Sequence, residues 1–440
     1  MLTYNVNIRC KSKVVFGEVV GVGCLEGGGA VYVRHRLDAS LGDVLFGAAA
    51  CAGVWGRDGL VARALASCGA GRDGLVCLSV RTGWDLWLGA SGLGEGDEVL
   101  ASAITHPEMG RIARLRGLRV VPVDLDPATL APGVGALEAS VSARTRVVLV
   151  AHLFGGRLDL GPVSRFCGEH GLSLVEDCAQ AFAGPGEVGH PEADVSMYSF
   201  GTLKTATAFG GAVLRVRDGE VLGRMREIEA DYPVQTRREY AGRLLKGILL
   251  LGASRPGVYG FLIRACARLG LDLDGLVDVA TKSHAVGVPD GELLRRIRRR
   301  PCAPLISLLL RRLRRFDRGR LAARTAAGER LSDALGPYVM RPGSGSLGRT
   351  HWIFPVVVHD PDELVEGLRR RGFDASRATS SIVALSPPDG APEPFEAARM
   401  MAGIVFLPAP IGLPEKEMGR LASVVNGLAV PRRDAGRLLA

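Results

Sequence analysis

Seven short apolar runs, most of them rich in β-branched residues, recur between residues 75 and 216: LVCLSV (75–80), DEVLAS (97–102), RVVPVD (119–124), RVVLVAH (146–152), LSLVED (172–177), DVSMYS (194–199) and GGAVLRV (210–216). They are too continuously apolar for strands with one face in water. The segments between them, such as TGWDLWLGASGL, MGRIARLRGL and GPVSRFCGEHG, carry apolar residues at helical spacing and end at glycines. A strand that is apolar on both faces needs cover on both, and alternating helices provide it. The expected class is therefore α/β, with a large doubly wound, mostly parallel sheet. Such sheets bind ligands at the carboxyl ends of their strands, which makes the residues just past each run the first candidates for chemistry.

Beyond this region, residues 220 to about 320 read as helical, and 350 to 425 show a smaller α/β pattern (HWIFPVVVHD, DELVEGLRRRGF, GIVFLPAP, EKEMGRLASVVNGL). The expected organisation is a large α/β domain over 1–240, a helical, apolar and arginine-rich connecting or insertion segment over 241–320, and a small C-terminal α/β domain over 321–440. A chain of 440 residues exceeds what one core usually supports. Its nine cysteines show no CxxC pair and no histidine cluster at ligand spacing, which speaks against a disulfide framework and against a structural metal. The N-terminus, MLTYNVNIRCKSK, lacks the continuous apolar core of a secretion signal, so a cytoplasmic protein is expected.

The net charge of +9 raises the question of an acidic partner. Eleven arginines lie between Arg295 and Arg320, interleaved with leucine and isoleucine at helical spacing. Single-strand nucleic-acid binding wants stacking aromatics there, so no nucleic-acid partner is expected. The apolar stretch 242–271 is interrupted by Arg255 and Pro256, and neither half reaches the roughly 20 residues of a membrane span. Buried helices are the expectation, with a membrane-surface contact as the rival.

Three features lie at strand ends. Asp177 directly follows LSLVE, where its carboxylate either enters a crevice or caps a following helix. Arg81 and Thr82 stand at a strand-to-helix turn, where backbone N–H groups and the helix dipole favour an anion, or simply receive a cap. In SMYSFGTLKTATAFGG, Ser199 and Lys204 follow Asp177 by 22 and 27 residues, and Lys204 is the one charged residue in that run. It is either an ordinary loop lysine or one aimed into a pocket. A carboxylate, a phosphate seat and an isolated lysine together suit pyridoxal phosphate, whose aldehyde a lysine amine holds as an imine and whose ring nitrogen a carboxylate keeps protonated.

With these positions aligned, the sequence resembles the DegT/StrS family of fold-type I pyridoxal-phosphate aminotransferases. The resemblance runs in order through ASGLGEGDEVLASAITH, VVPVDLDPATL, SARTRVVLVAHLFGGRLDLGPVSRFCGEHGLSLVEDCAQAFAG, DVSMYSFGTLKTATAFGGAVL and IVFLPAPIGLPEKEM. It implies that Lys204 is the Schiff-base lysine and proton carrier, that Asp177 pairs with the pyridine nitrogen, and that Gln180 lies near the phenolic oxygen. It also implies that Ser199 and the Arg81–Thr82 backbone contact the phosphate, and that His106, in the Thr105–His106 pair, stacks on the ring where the family has an aromatic residue. Val80 and Thr205 depart from the family's small residue and asparagine. No Gly-x-Asn-Tyr-Arg stretch, whose asparagine reaches the neighbouring subunit's phosphate, is found downstream. The implied activity is transfer of an amino group from a small-molecule donor, glutamate foremost, to a keto acceptor of sugar-like or other biosynthetic type, in a homodimer. The alternatives are a lyase or dehydratase using the same cofactor, or a non-catalytic regulatory relative.

Overall fold

The structure is a computed structural model, and it describes residues 31–34, 36–269, 271, 288–377 and 382–430. The first 30 residues of the expected large domain and residues 272–287 of the helical segment lie outside the described residues.

Among the described residues, nine strands and nine α-helices build the first part of the chain. The strands are β1 (Gly74–Cys77), β2 (Glu98–Ser102), β3 (Ile104–Thr105), β4 (Arg119–Val123), β5 (Thr145–Ala151), β6 (Gly156–Arg157), β7 (Ser173–Asp177), β8 (Val195–Ser199) and β9 (Ala212–Val216). The helices are α1 (Leu41–Ala52), α2 (Arg57–Cys68), α3 (Val80–Ala90), α4 (Pro107–Leu115), α5 (Val134–Ser140), α6 (Gly161–His170), α7 (Gly219–Ala230), α8 (Arg237–Ala253) and α9 (Pro256–Arg268). All seven expected strands form one sheet in the order β1-β9-β8-β7-β5-β2-β4. The pairs from β8 to β4 are parallel, while β9 runs antiparallel to both β8 and β1.

The two-residue period of a strand decides how this sheet is covered. Val147, Leu149, Val175 and Met197 face a core built with α3 and α4 through Trp84, Trp87, Met109 and Ile112. Their chain neighbours Val148, Val150 and Leu174 face the opposite core with Phe166. Trp84 and Trp87 stack at 5.6 Å between ring centroids beneath the sheet.

The 241–320 stretch divides between two cores. Tyr240 and Leu244 of α8, with Leu305, Leu308, Leu309 and Leu313 of the helix Ala303–Arg314, pack on Val76, Leu78 and Val213 of the sheet. The next helix, Arg318–Ala334, turns its Ala327 and Leu331 into a smaller core with Phe354, Val356, Leu421 and Val425. That core surrounds an antiparallel pair of strands, β11 (Phe354–Val357) and β13 (Ile404–Leu407), while the short β10 (Gly348–Arg349) and β12 (Val383–Ala384) tie this part back to β6 and β3.

The apolar stretch after residue 242 is only half buried: Leu245, Leu249 and Phe261 are exposed at 60%, 65% and 65% because the helical period turns every third or fourth leucine away from the core. Among the described residues, six of the eleven arginines from Arg295 to Arg320 are bound to acidic groups of the chain itself, Arg296 to Glu292 and Arg320 to Asp38 among them. Arg298 reaches Asp85, Arg299 reaches Glu239, and Arg311 and Arg312 reach Asp43. Among the described residues no helix is long and apolar enough to cross a membrane.

Asp85 shows what these pairs contribute. It is fully buried in α3 and receives Arg116 Nε and Arg298 Nε at 2.9 Å each, with the Tyr232 hydroxyl at 3.1 Å. Asp85→Ala strands two half-buried guanidiniums, and we expect it to lower stability by about 2–3 kcal/mol, less than for a fully buried pair. The measurement is a urea midpoint that falls at unchanged slope.

Candidate active site

The sheet topology gathers the candidates at one edge. Because β9 is antiparallel to both β1 and β8, the carboxyl ends of β1 and β8 point the same way, and the start of β9 meets them. Ser79 caps α3 just past β1, Asp177 ends β7, Ser199 ends β8, and the loop carrying Lys204 returns through Gly210–Gly211 into β9. Backbone bonds lock this corner: Gly211 N–H donates to Leu78 C=O and Phe200 N–H to Gly211 C=O, both at 2.9 Å.

The Lys204 loop is held under local strain. Ala206 and Phe209 adopt φ of 54° and 59°, the left-handed region that costs a residue with a side chain about 1 kcal/mol or more. Asp38 compensates by accepting Ala206 N–H at 2.6 Å, and the Tyr240 hydroxyl donates to Ala208 C=O at 2.9 Å. Lys204 Nζ lies 4.0 Å from the centroid of Trp352, whose Nε1–H donates to Leu203 C=O at 2.7 Å. Burial pushes the Lys204 amine down to about 8; the Asp177 carboxylate opposes that fall and the Arg81 charge adds to it. Its amine therefore loses its proton more readily than an ordinary lysine's, which favours the neutral state that a nucleophile or a proton acceptor requires.

Asp177 is buried at the end of its strand, and no helix follows it. The capping alternative is replaced by a turn in which Oδ1 accepts Ala179 N–H at 2.9 Å. Burial raises its carboxyl, against which the Ala179 N–H and the charges of Lys204 and His152 work. Beneath it His152 Nδ1 accepts Leu158 N–H at 3.1 Å and Nε2 meets Glu176 Oε1 at 2.9 Å. Burial would raise Glu176, but bonds from His152, Ser196 and the His190 N–H override it and hold the carboxyl at about 2. His152, Glu176 and Cys178 are close enough to hold a metal, yet both imidazole nitrogens are committed to protein partners. The cluster reads as a support for the strand ends.

The remaining candidates divide. Gln180 Oε1 accepts Phe154 N–H at 2.8 Å, fixing its amide across from β7, and Ser199 Oγ accepts Gly201 N–H at 3.4 Å. His106 caps α4, its Nδ1 accepting Glu108 N–H at 3.2 Å, and Glu108 in turn pairs with Arg81. The Thr82 hydroxyl is spent inside the protein, donating to Ile297 C=O at 2.7 Å, so its side chain is closed to a ligand. Beside His106, the buried Thr105 Oγ1 has no hydrogen-bond partner among the described residues. A buried carboxylate at a strand end, a desolvated lysine coupled to it and an orphaned buried hydroxyl suit a polar aromatic aldehyde phosphate.

A cleft of about 650 Å³, counting its open mouth, leads to Lys204 and is lined by Arg36, Asp38, Arg320, Arg324 and Trp352. Arg324 donates to Thr205 Oγ1 at 3.2 Å. Sequence inspection missed Trp352, Arg324 and Asp38, which come from outside the strand-end pattern. The rarity of tryptophan, four in the chain, is the one signal that could have marked Trp352.

Comparison with known proteins agrees with this picture. Residues 64–247 match the model of the DegT/DnrJ/EryC1/StrS aminotransferase family. An L-glutamine:2-deoxy-scyllo-inosose aminotransferase from Streptomyces fradiae is 35% identical over 150 residues, 33% of this chain and 35% of that protein. The match thus spans about a third of the length of that curated relative. The solved aminotransferase TlmJ from Streptoalloteichus hindustanus superposes with a TM-score of 0.62 at 21% identity, covering 91% of this chain and 98% of that one. A GDP-4-keto-6-deoxy-D-mannose-3-dehydratase from E coli, solved with bound hydrated PLP, gives 0.64 at 14% identity over 90% and 99%. The fold is that of the fold-type I transferases.

Proposed function

We propose, for a chain whose residues 64–247 match the DegT/DnrJ/EryC1/StrS aminotransferase family, that it is a pyridoxal-phosphate-dependent aminotransferase acting on a keto group of a sugar-like acceptor. The observation that carries this reading is the coupling of Lys204 to Asp177 across adjacent strand ends, in a match region whose relatives include L-glutamine-dependent aminotransferases. When bound, pyridoxal phosphate supplies an aldehyde that a primary amine captures and a ring that takes up an electron pair once a substrate C–H bond breaks.

The chain's own groups account for the rest. Lys204 would hold the aldehyde through its amine and, when released from it, would serve as the acid and base that moves the proton between the substrate carbon and the cofactor. Asp177 would pair with the ring nitrogen and keep it protonated. Trp352 covers one side of the amine, restricting water. The Arg81–Thr82 backbone and Ser199 would support the phosphate end, and His106 and Gln180 the ring. The relative's name puts L-glutamine ahead of the L-glutamate expected from the sequence. The free cysteines among the described residues favour a cytoplasmic setting, and the exposed Leu245, Leu249 and Phe261 favour burial in a homodimer.

The test uses purified protein and pyridoxal phosphate, following the visible band of the lysine-bound cofactor. The band should form faster as pH rises through about 8, because only the deprotonated Lys204 amine attacks an aldehyde. Adding L-glutamine, or L-glutamate more slowly, should convert the cofactor to its amino form. A band that survives both donors points to a lyase or dehydratase, and a protein that forms no band at any pH points to the regulatory alternative.

A further inference from the structure

Arg243 is a cation without a described counter-ion, on the buried side of a helix. Tyr240, Arg243, Leu244 and Gly247 fall on one face of α8 by the three-and-four spacing of a helix. That face docks on the lysine loop: the Tyr240 hydroxyl holds Ala208 C=O, and Gly247 lies so close to Phe209 that a Cβ there would sit 2.4 Å from the ring. Arg243 is consequently carried to the strand-end corner. A Cβ on Gly210, which has φ of 153°, would lie 2.9 Å from Arg243 Nη1, so the guanidinium fills the space a side chain would take. Gly210 adjoins Gly211, which bonds Leu78 just before the α3 cap, and its own N–H donates to Phe200 C=O, next to Ser199.

The charges around it do not cancel. Among the described residues no hydrogen bond or ion pair engages Arg243. The nearest acid on its own helix, Glu239, is bound by Arg299 at 2.8 and 2.7 Å. Arg81, which faces it, repels it and is itself paired with Glu108. Burial also disfavours its charge. An arginine kept charged in such a place calls for an anion.

We infer that Arg243 binds the phosphate of the cofactor, supplying from the chain's own α8 a charge-assisted contact beside Ser199 and the α3 N-terminus. The inference rests on the cofactor reading above, and its chemistry is that of a guanidinium forking onto a phosphate monoester dianion.

The experiment compares wild type with Arg243→Met, similar in length and uncharged, titrating each with pyridoxal phosphate and with pyridoxal, which lacks the phosphate. The variant should bind pyridoxal phosphate about 10- to 100-fold more weakly and pyridoxal within about twofold of wild type. Arg243→Lys should recover part of the loss. Without cofactor, Arg243→Met should melt no lower than wild type, since it removes an uncompensated charge, and inorganic phosphate should raise the melting temperature of wild type only. Equal weakening toward both ligands, or unchanged affinity for pyridoxal phosphate, overturns the inference. If wild type takes up no pyridoxal phosphate yet shows phosphate protection that depends on Arg243, the anion seat stands and the aminotransferase reading falls. Absence of both overturns the two together.

Discussion

Lys204→Ala should remove the visible band of the bound cofactor and reduce amino transfer by at least about four orders of magnitude, the scale of loss when a nucleophile that is also the proton carrier is deleted. The variant should still fold. Burial already penalises the ammonium of Lys204, so its removal relieves a desolvated charge, and the cofactor-free melting temperature should be equal to wild type or higher. Among the described residues Lys204 is the one lysine lining the cleft. Normal turnover in Lys204→Ala would sink the assignment of this residue and of the reaction.

The second large effect belongs to Asp177→Asn. The amide oxygen can still accept Ala179 N–H, so the turn at the end of β7 should persist and the visible band should still form. Turnover should fall by about two to four orders of magnitude, because an amide cannot hold the ring nitrogen protonated and the ring then withdraws electrons poorly. A second readout separates this from a structural role. The Asp177 carboxylate raises the Lys204 pKa, so its loss lowers that value further and band formation should reach half its maximum rate below the wild-type pH of about 8. An Asp177→Asn protein with unchanged turnover and an unmoved pH profile would leave Asp177 as no more than the acceptor of a turn.

Much of the site was legible before any fold was known. Asp177, Ser199 and Lys204 follow strands whose apolar runs are continuous, and a parallel sheet brings the ends of its strands to one edge. What misled was local chemistry with more than one outlet. Taken by itself Asp177 read first as a helix cap, and the structure resolves it as a turn because residues 178–182 form no helix. The turn at Arg81 and Thr82 offered backbone N–H groups to an anion or to a cap, and in the structure Ser79 Oγ accepts Thr82 N–H at 3.2 Å while the Thr82 hydroxyl is taken by Ile297, 215 residues away. Trp352 covers Lys204 through a bond to Leu203 across 149 positions, a relation with no trace in spacing.

The sequence by itself determined the alternation of strand and helix, the double-sided cover of the sheet, and the loops that would carry chemistry. These follow from periods of two and 3.6 residues, which are written within a few positions of one another. Only the tertiary structure decided what each charge would face. Arg298, Arg299, Arg311 and Arg312 stood out as a cationic run and proved to be bound to Asp85, Glu239 and Asp43. Arg243, unremarked in EYAGRLLKGILLL, came to rest against Gly210 at the strand ends. A charge's partner depends on which elements the packed core sets side by side, and that arrangement is a property of the whole fold, absent from any window of the chain.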